Sequence, residues 1–441
     1  MMILKRNKPI AISVAVMLFA ATLIISALSP KPSQSTAAPQ TAAAASKEPA
    51  YAQAPDGMRG VWVTYMELSM ESESDKSEAA FRKKFEKITA SCQSFGFNTM
   101  IVQTRPFCDA LYNSKLFPAS HILSGAQGES PGYDALKIMC EICHSHEMKL
   151  HAWLNPYRVT ASKTPSKLSE SNPYMKDKSL GIVTDSGIIL DPSNKKARKL
   201  ITDGVREIVS NYPVDGIQYD DYFYPADIEN ADSTRYSEYI NSAGTQGAMT
   251  LEQWRTANVN LLMAETYIAV HQSSQSAVFG ISPQGNLGNN AQLCADVVSW
   301  CGKQGYADYI CPQIYFSPGN PRLGFEKALS DWTELSYADN VRLYVGLAGY
   351  KAGTDADEGT WQNSDTILSD EYNILNMNNK VSGFMLYSCQ SLNDEAAKNE
   401  INNLKKAVNQ SESTPSQQSP AAAVSLTRLT SPQSELSPPV T

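Results

Sequence analysis

The amino-acid sequence predicts an α/β fold, a (β/α)8 TIM barrel, for a chain of 441 residues. Eight short β-rich runs bounded by turn residues recur along the chain, and a helix-like segment follows each of them. Several runs are apolar on both faces and end in polar residues, which is typical of a parallel sheet covered by helices. An open doubly wound sheet is the alternative, but no glycine-rich phosphate-binding fingerprint follows any strand.

The eight units follow one another in order along the middle of the chain. The predicted strands cover 59–65, 97–105, 149–156, 215–222, 278–286, 306–315, 342–351 and 381–390. The helix-like segments cover 76–94, 133–147, 194–211, 250–273, 290–303, 323–336, 365–379 and 393–408. The first helix is predicted from Phe81, Phe85 and Ile88, which recur at helical spacing. Eight strand–helix units in one domain of this length favour a closed barrel.

The two ends of the chain differ in composition from its middle. Three basic residues precede the uncharged run 10–28, so residues 1–30 are predicted to be a signal peptide or a membrane anchor. Residues 31–55 and 410–441 are rich in Ala, Pro, Ser and Gln, and we predict a disordered linker and tail. Residues 56–409 then form a single catalytic domain. The positive-inside rule places that domain outside the cytoplasm. We expect it to act in the cell wall, either as a secreted protein or anchored to the outer face of the cell membrane.

Charge and cysteine usage exclude several classes of function. The net charge of -8 argues against nucleic-acid binding, and membrane contact is expected only through the N-terminal segment. The eight cysteines fall in predicted strands or on helix faces, so we expect mostly free thiols. Cys140 to His144 match the haem-attachment pattern C-x-x-C-H, but both cysteines share the buried stripe of a predicted helix. His144, His146 and His151 lie at the wrong end of the barrel for a catalytic metal. No metal or cofactor is predicted, and we expect a monomer.

Catalytic side chains of a TIM barrel lie at the carboxyl ends of its strands. In this sequence those ends carry carboxylates, amides, an arginine and aromatic rings, a mixture that suits sugars. The candidates are Tyr65, Glu67, Arg105, Asp109, Trp153, Asn155, Tyr157, Gln218, Asp220, Asp221, Tyr222, Tyr224, Gln313 and Tyr315. Trp62 is expected to face the surrounding helices instead.

The motifs at these ends resemble the bacterial family-10-like glycosyl hydrolases, also called the domain of unknown function 187 group. The segments that carry the resemblance are RGVWVT, QTRPFCDALYNS, HAWLNPYR, LDPSNKKAR, DGIQYDDYFYP, GISPQGN, YICPQIY and GLAGYK, in order across residues 58–390. The resemblance implies a barrel that acts on polysaccharide outside the membrane, including peptidoglycan glycan strands stripped of their peptides. One departure follows the fifth strand, where family members often carry Phe-Gly and Trp-Arg-Asn. This chain has residues 284–290, QGNLGNN, at that place.

The adjacent carboxylates Asp220 and Asp221 allow two readings of the chemistry. In the first, Asp220 is the nucleophile or base, and the acid is Asp221, Asp109 or Glu67. In the second, the adjacent pair serves an N-acetylated sugar: the substrate's acetamido oxygen attacks, one Asp orients the acetamido group, and the other is the acid. Structural roles are the alternatives. The pair could cap a helix or bind a cation, Asp109 could pair with Arg105, and Glu67 could be a surface residue.

The remaining candidates are assigned to substrate binding. Arg105, Asn155, Gln218 and Gln313 supply polar partners, and Tyr65, Trp153, Tyr157, Tyr222, Tyr224 and Tyr315 are predicted sugar platforms, with burial in the barrel core as the alternative. The segment 225–250 is predicted to fold over the groove as a lid. The sequence therefore predicts an exported glycoside hydrolase that acts on a cell-wall polysaccharide. The alternative is a barrel that binds cell-wall glycan without catalysis.

Overall fold

The protein is described by a computed structural model that covers residues 51–413 except 163 and 245–246. The predicted signal or anchor segment, residues 31–50 of the predicted linker and residues 414–441 of the predicted tail lie outside the described residues. The strands in the described part are β1 (Met58–Val63), β2 (Thr99–Arg105), β3 (Lys149–Leu154), β4 (Gly181–Thr184), β5 (Gly187–Leu190), β6 (Gly216–Tyr219), β7 (Val278–Ile281), β8 (Tyr309–Ile310), β9 (Arg342–Leu347) and β10 (Val381–Leu386).

Helices alternate with these strands. They are α1 (Tyr65–Leu68), α2 (Glu78–Phe95), α3 (His121–Ser124), α4 (Ala135–Ser145), α5 (Pro173–Lys176), α6 (Lys195–Asn211), α7 (Ser233–Ala243), α8 (Leu251–Ser273), α9 (Val297–Gly302), α10 (Phe325–Thr333), α11 (Ala356–Gly359), α12 (Ile367–Met377) and α13 (Lys398–Ser413). Short 3₁₀ helices cover Lys178–Leu180, Leu287–Leu293, Gly349–Lys351, Trp361–Asn363 and Cys389–Asn393. Among the helices of the described residues, none is long and apolar enough to cross a membrane.

The predicted (β/α)8 barrel is confirmed. Eight strands form a closed barrel in the order β1-β2-β3-β6-β7-β8-β9-β10, and every neighbouring pair is parallel. The main helices begin at residues whose side chains accept a backbone N–H, such as Ser77, Asn194 and Thr250, so the polar cap satisfies an otherwise free donor. Every observed barrel strand except β2 ends before its predicted run does, and the remaining residues of those runs form loops at the mouth of the barrel.

The inside of the barrel is filled by large side chains opposite glycines. Tyr309, Trp62, Trp153, Tyr344 and Met385 form a buried cluster separate from the larger core between sheet and helices. A β-carbon on Gly280 would lie 1.9 Å from the Tyr309 ring, so only glycine fits beside this tyrosine. Trp62 was expected to face the helices, and that expectation is wrong. Its indole points into the barrel and donates to Gln218 Oε1 at 2.6 Å.

Cysteine burial agrees with the prediction of free thiols. All eight cysteines are free and buried. Cys140 and Cys143 lie on the buried face of α4, and burial raises the pKa of the Cys140 thiol to about 12. These thiols are therefore core residues.

A β-hairpin that the sequence analysis did not predict stands beside the barrel mouth. β4 and β5 pair in antiparallel fashion around a turn at Asp185 and Ser186. The hairpin docks on the loop after β3, because the amide of Val159 donates to Ile188 O at 2.9 Å and the amide of Leu190 donates to Tyr157 O at 2.6 Å. The hairpin therefore forms a wall next to the ends of β3 and β6.

The segment predicted as a lid lies alongside this hairpin in its described part. The rings of Tyr236 and Tyr239, both on α7, lie 5.4 Å and 6.1 Å from the Trp254 ring at the start of α8. Arg255 and Asp232 form a partly buried ion pair with a shortest distance of 2.5 Å. These contacts hold α7 against the start of α8.

Candidate active site

A cavity of about 220 Å³ opens at the carboxyl ends of the barrel strands. It is lined by Trp62, Trp153, Asp220, Asp221, Tyr222, Ser282, Gln313, Tyr315, Tyr350 and Tyr387. Among the described residues that line it, the carboxylates are Asp220 and Asp221, which follow β6 directly. The cavity therefore combines two adjacent acids with a mainly aromatic wall.

Asp220 forms part of the cavity floor and is only 4% exposed. Its Oδ2 accepts hydrogen bonds from Trp153 Nε1 at 3.1 Å and from the Asn155 amide, while its Oδ1 has a longer contact of 3.4 Å to the Tyr222 amide. Burial and the neighbouring Asp221 charge raise the pKa of Asp220 to about 7. At neutral pH this carboxyl can therefore hold a proton, which general acid catalysis requires.

Asp221 also lines this cavity, and two amide side chains hold its carboxylate. Gln284 Nε2 donates to its Oδ2 at 3.0 Å, and Gln313 Nε2 donates to its Oδ1 at 3.3 Å. Burial raises the pKa of Asp221, whereas both amide donors favour its charged form. Because two adjacent carboxylates in a buried site resist double ionisation, the pair is suited to share one proton near neutral pH.

Gln284 comes from the run that departs from the family pattern. Asn290 fixes the backbone of Gln284 on both sides, accepting from its amide at 3.1 Å and donating to its carbonyl oxygen at 3.0 Å. Asn289 also donates to Gln284 Oε1 at 3.2 Å. The residues of this divergent run thus direct the side-chain amide of Gln284 toward Asp221.

A chain of hydrogen bonds holds the other side of the pair. Gln103 Nε2 donates to Asn155 Oδ1 at 2.6 Å, and Arg158 Nη2 donates to the same oxygen at 2.8 Å. These bonds orient the Asn155 amide toward Asp220. The Arg158 guanidinium lies 4.8 Å from the Phe107 ring and 5.3 Å from the Tyr222 ring. Burial raises the pKa of both aspartates, and the Arg158 charge offsets only part of that rise.

The aromatic wall is a connected group of rings. Tyr315, Tyr350 and Tyr387 lie within 5.7 to 5.8 Å of one another, and Trp62 lies 6.0 Å from Tyr387. Tyr222 is 57% exposed at the opposite rim. Aromatic faces of this kind bind the apolar faces of sugar rings, while the carboxylates and Gln313 supply polar partners.

Two predicted acids are engaged outside the cavity. Glu67 follows β1, and its carboxylate accepts from the Thr64 amide at 2.5 Å, Ser388 Oγ at 2.9 Å and the Gln390 amide at 2.6 Å. It therefore joins the loops after β1 and β10. Asp109 is fully buried, and its Oδ2 lies 3.4 Å from His121 Nδ1 and accepts from Gln127 Nε2 at 3.2 Å. Its described partners hold a loop and do not include Arg105.

Three predicted substrate-binding residues point away from the cavity. The Arg105 guanidinium is buried over the Phe117 ring, 4.8 Å from its centroid, on the helix side of the barrel. Tyr157 is fully buried behind the hairpin. Tyr224 is 1% exposed and contributes to a second, neighbouring cavity instead.

Two others support the site from beneath or beside it. Gln218 is buried under Trp62, and its Nε2 donates to the Tyr309 hydroxyl at 3.1 Å. Tyr65 is half-buried with its ring 5.1 Å from Phe107, and its backbone amide donates to Gln103 Oε1 at 3.0 Å. Trp153, Tyr222, Gln313 and Tyr315 line the cavity together with both aspartates.

Six residues at the site were not among the predicted ones: Trp62, Arg158, Ser282, Gln284, Tyr350 and Tyr387. Five of them follow the ends of strands, which was the available signal, and Trp62 belongs to the interior face of β1. Within the described residues, no group of three or more His, Cys, Asp or Glu side chains is placed to hold a metal ion.

Comparisons of the sequence with known proteins find a family model and similar proteins. The family model described as Glycosyl hydrolase-like 10 matches residues 57–363. The chain is similar to "Glycosyl hydrolase YngK" of Bacillus subtilis (strain 168), with 32% identity over 78% of this chain and 70% of that protein. It is similar also to "Glycosyl hydrolase DigH" of Escherichia coli (strain K12), with 30% identity over 80% of this chain and 86% of that protein.

One solved structure supports the fold. The PgaB (BpsB) glycoside hydrolase domain from Bordetella bronchiseptica aligns with a TM-score of 0.54 and 12% sequence identity, covering 80% of this chain and 99% of that one. At this identity the likeness concerns the barrel architecture.

Proposed function

Because the chain belongs to the glycosyl hydrolase-like 10 family, we propose that it is a glycoside hydrolase that is exported and cleaves the N-acetylated glycan strands of the cell wall. The family membership supports a glycosidase. The predicted signal or anchor in residues 1–30 supports action outside the cytoplasm, as a monomer that reaches the membrane only through that segment. The family resemblance favours peptide-free peptidoglycan strands as the substrate.

One observation carries the proposal of catalysis: the adjacent carboxylates Asp220 and Asp221 share an aromatic cavity, and the pKa of Asp220 is raised to about 7. Glu67 and Asp109 were the other predicted acids, and hydrogen bonds engage both of them elsewhere. The first reading therefore loses Glu67 and Asp109 as acids and keeps only Asp221, so we favour the reading in which the adjacent pair serves an N-acetylated sugar.

In the proposed mechanism the substrate supplies its own nucleophile. The acetamido oxygen attacks the anomeric carbon, the glycosidic C–O bond breaks, and the leaving oxygen takes the proton of Asp220. Asp221, charged and held by Gln284 and Gln313, accepts a hydrogen bond from the acetamido N–H and stabilises the positive charge of the cyclic intermediate. A water then adds to the anomeric carbon and returns a proton to Asp220, so the anomeric configuration is retained.

The experiment that tests the proposal compares two substrates and three variants. We expect the unmodified protein to release reducing ends from peptide-free peptidoglycan strands, and Asp220→Asn and Asp221→Asn to lose roughly 100-fold or more of that rate. A 4-nitrophenyl glycoside of an N-acetylated sugar has a leaving group that needs no proton. Asp220→Asn should therefore recover much of its activity on that substrate, whereas Asp221→Asn should not.

Asp203→Asn, on the surface of α6, is the matched control and should behave as the unmodified protein. Activity on the strands that survives both cavity substitutions would overturn the assignment of the aspartates. Binding of strands by the unmodified protein without release of reducing ends would favour the non-catalytic alternative.

A further inference from the structure

A second cavity, of about 710 Å³, adjoins the catalytic cavity. Asp221 and Tyr222 line both of them, so the two spaces meet at these two residues. The second cavity is more than three times the volume of the first, and it falls within the range of roughly 300–1,000 Å³ that is usual for ligand sites.

The walls of the second cavity come from the hairpin β4–β5 and from the residues after β6. Ile189, Phe223, Tyr224, Pro225 and Leu293 give it an apolar lining, and Arg158, Thr160, Gln284 and Asp227 add polar groups. This combination of apolar surface and a few polar side chains matches a sugar ring, which has apolar C–H faces and a rim of hydroxyls.

The two walls are joined by specific contacts. Asp227 accepts hydrogen bonds from the Ser186 amide at 2.7 Å and from Ser186 Oγ at 3.1 Å, which ties the loop after β6 to the hairpin turn. Beside that turn, a β-carbon on Gly187 would lie 2.4 Å from the Thr160 carbonyl oxygen, so glycine is needed for the hairpin to dock this closely. These contacts fix the two walls relative to each other, so the fold itself sets the shape of the cavity.

Tyr222 stands at the junction of the two cavities. Its ring is 57% exposed, and Arg158 lies 5.3 Å from the ring centroid, which restrains the ring although it faces solvent. An exposed but restrained aromatic ring between two cavities is suited to contact a chain that passes from one to the other.

We propose that this second cavity is an extension subsite that binds the next one or two sugar residues of the glycan whose neighbouring sugar occupies the catalytic cavity. The inference rests on the proposed function and deepens it: the protein is an endo-acting enzyme that selects extended chains. The occupant is the same glycan chain because the cavity is continuous with the catalytic cavity through Asp221 and Tyr222.

The test fills the second cavity without touching the first. Ala226 is exposed and lines only the second cavity, so Ala226→Trp should obstruct it. Val183→Trp is the matched control, because Val183 is 63% exposed on strand β4 of the hairpin that forms the facing wall, but lines neither cavity. Both changes are made in an Asp220→Asn background, and binding of N-acetylglucosamine oligomers of two to six units is measured by calorimetry.

We expect the parent and Val183→Trp to bind longer oligomers more tightly than short ones, and Ala226→Trp to bind the hexamer roughly tenfold more weakly than the control. Hexamer affinity of Ala226→Trp within about twofold of the control would overturn the extension subsite while leaving the proposed function intact. If the parent binds no oligomer and the unmodified protein releases no reducing ends, the proposed function fails and the subsite fails with it.

Discussion

At the scale of single residues, the most informative group is the carboxyl of Asp220. Its pKa of about 7 lies well above the value of about 3.9 for an exposed aspartate, because burial and the adjacent Asp221 disfavour the charge. Between these two values the unfolded chain releases this proton and the folded protein keeps it. The contribution of this carboxyl to the free energy of unfolding is therefore present in full below about pH 4 and is lost as the pH rises toward 7.

The direction of this pH dependence leads to a prediction for Asp220→Asn. The unmodified protein should lose free energy of unfolding between about pH 5 and pH 8, whereas Asp220→Asn should lose much less, so at pH 8 the variant is expected to be more stable by about 2 kcal/mol. Urea denaturation at several pH values measures this. Activity of the unmodified protein should fall above about pH 7, since the acid then loses its proton. Equal pH dependence of stability in both proteins would contradict the raised pKa.

At the scale of elements, two loops hold the tyrosine wall in place. Lys351, in the 3₁₀ helix after β9, donates from Nζ to the Tyr315 carbonyl oxygen at 2.7 Å and to Asp357 Oδ1 at 2.8 Å. Asp357 Oδ2 accepts from the Ser317 amide at 2.8 Å. This Lys351–Asp357 pair joins the loops that follow β8 and β9, and these loops carry Tyr315 and Tyr350.

We therefore predict that Lys351→Met acts on substrate binding through the position of these tyrosines. The KM for glycan strands should rise roughly three- to tenfold, with kcat and its pH profile little changed, because the aspartates are untouched. Steady-state kinetics test this, with Lys327→Met as the control, since Lys327 forms an exposed pair with Asp331 on α10. A loss confined to kcat would argue against a positioning role.

The elements also show how far the sequence could predict the structure. Strand order and the location of the site at strand ends followed from turn residues and apolar runs. The side on which Trp62 lies did not, because Val61 and Val63 on one face of β1 are as apolar as Trp62 on the other, and a parallel strand is buried on both faces. Apolarity alone therefore does not tell the interior of the barrel from the helix side.

Arg105 illustrates a second limit. The pairing of β2 with β3 shifts register between Gln103 and Arg105. Such a shift turns the following side chain to the other face, so Arg105 lies over Phe117 and not in the mouth. The hairpin β4–β5 was also missed, although β-branched residues flank the turn at Asp185 and Ser186. It forms through contacts to residues 157–161, which are local in space but not in sequence.

At the scale of the whole molecule, hydrogen bonds through the barrel interior connect residues deep in the barrel to the candidate active-site cavity. His151 Nδ1 lies 2.9 Å from the Tyr309 hydroxyl, Gln218 Nε2 donates to the same hydroxyl, and Trp62 donates to Gln218. Trp62 in turn lines the candidate active-site cavity together with the two aspartates. Burial lowers the pKa of His151 to about 4, so the imidazole at the base of this column is neutral at physiological pH.

This column predicts that a change deep in the barrel affects both stability and activity. In Gly280→Ala the new methyl group would meet the Tyr309 ring at 1.9 Å, so the ring must move and its bonds to His151 and Gln218 weaken. We expect the free energy of unfolding to fall by about 2–4 kcal/mol, from overpacking together with weakened buried hydrogen bonds. Gly302→Ala is the control, since its β-carbon would lie 3.5 Å from the nearest atom at the end of α9. Urea denaturation and release of reducing ends should separate the two variants, because only Gly280→Ala disturbs the support of Trp62. Equal free energies of unfolding in the two variants would show that the Tyr309 ring can move without loss of stability. The hydrogen-bonded column would then not link the packing at Gly280 to the cavity.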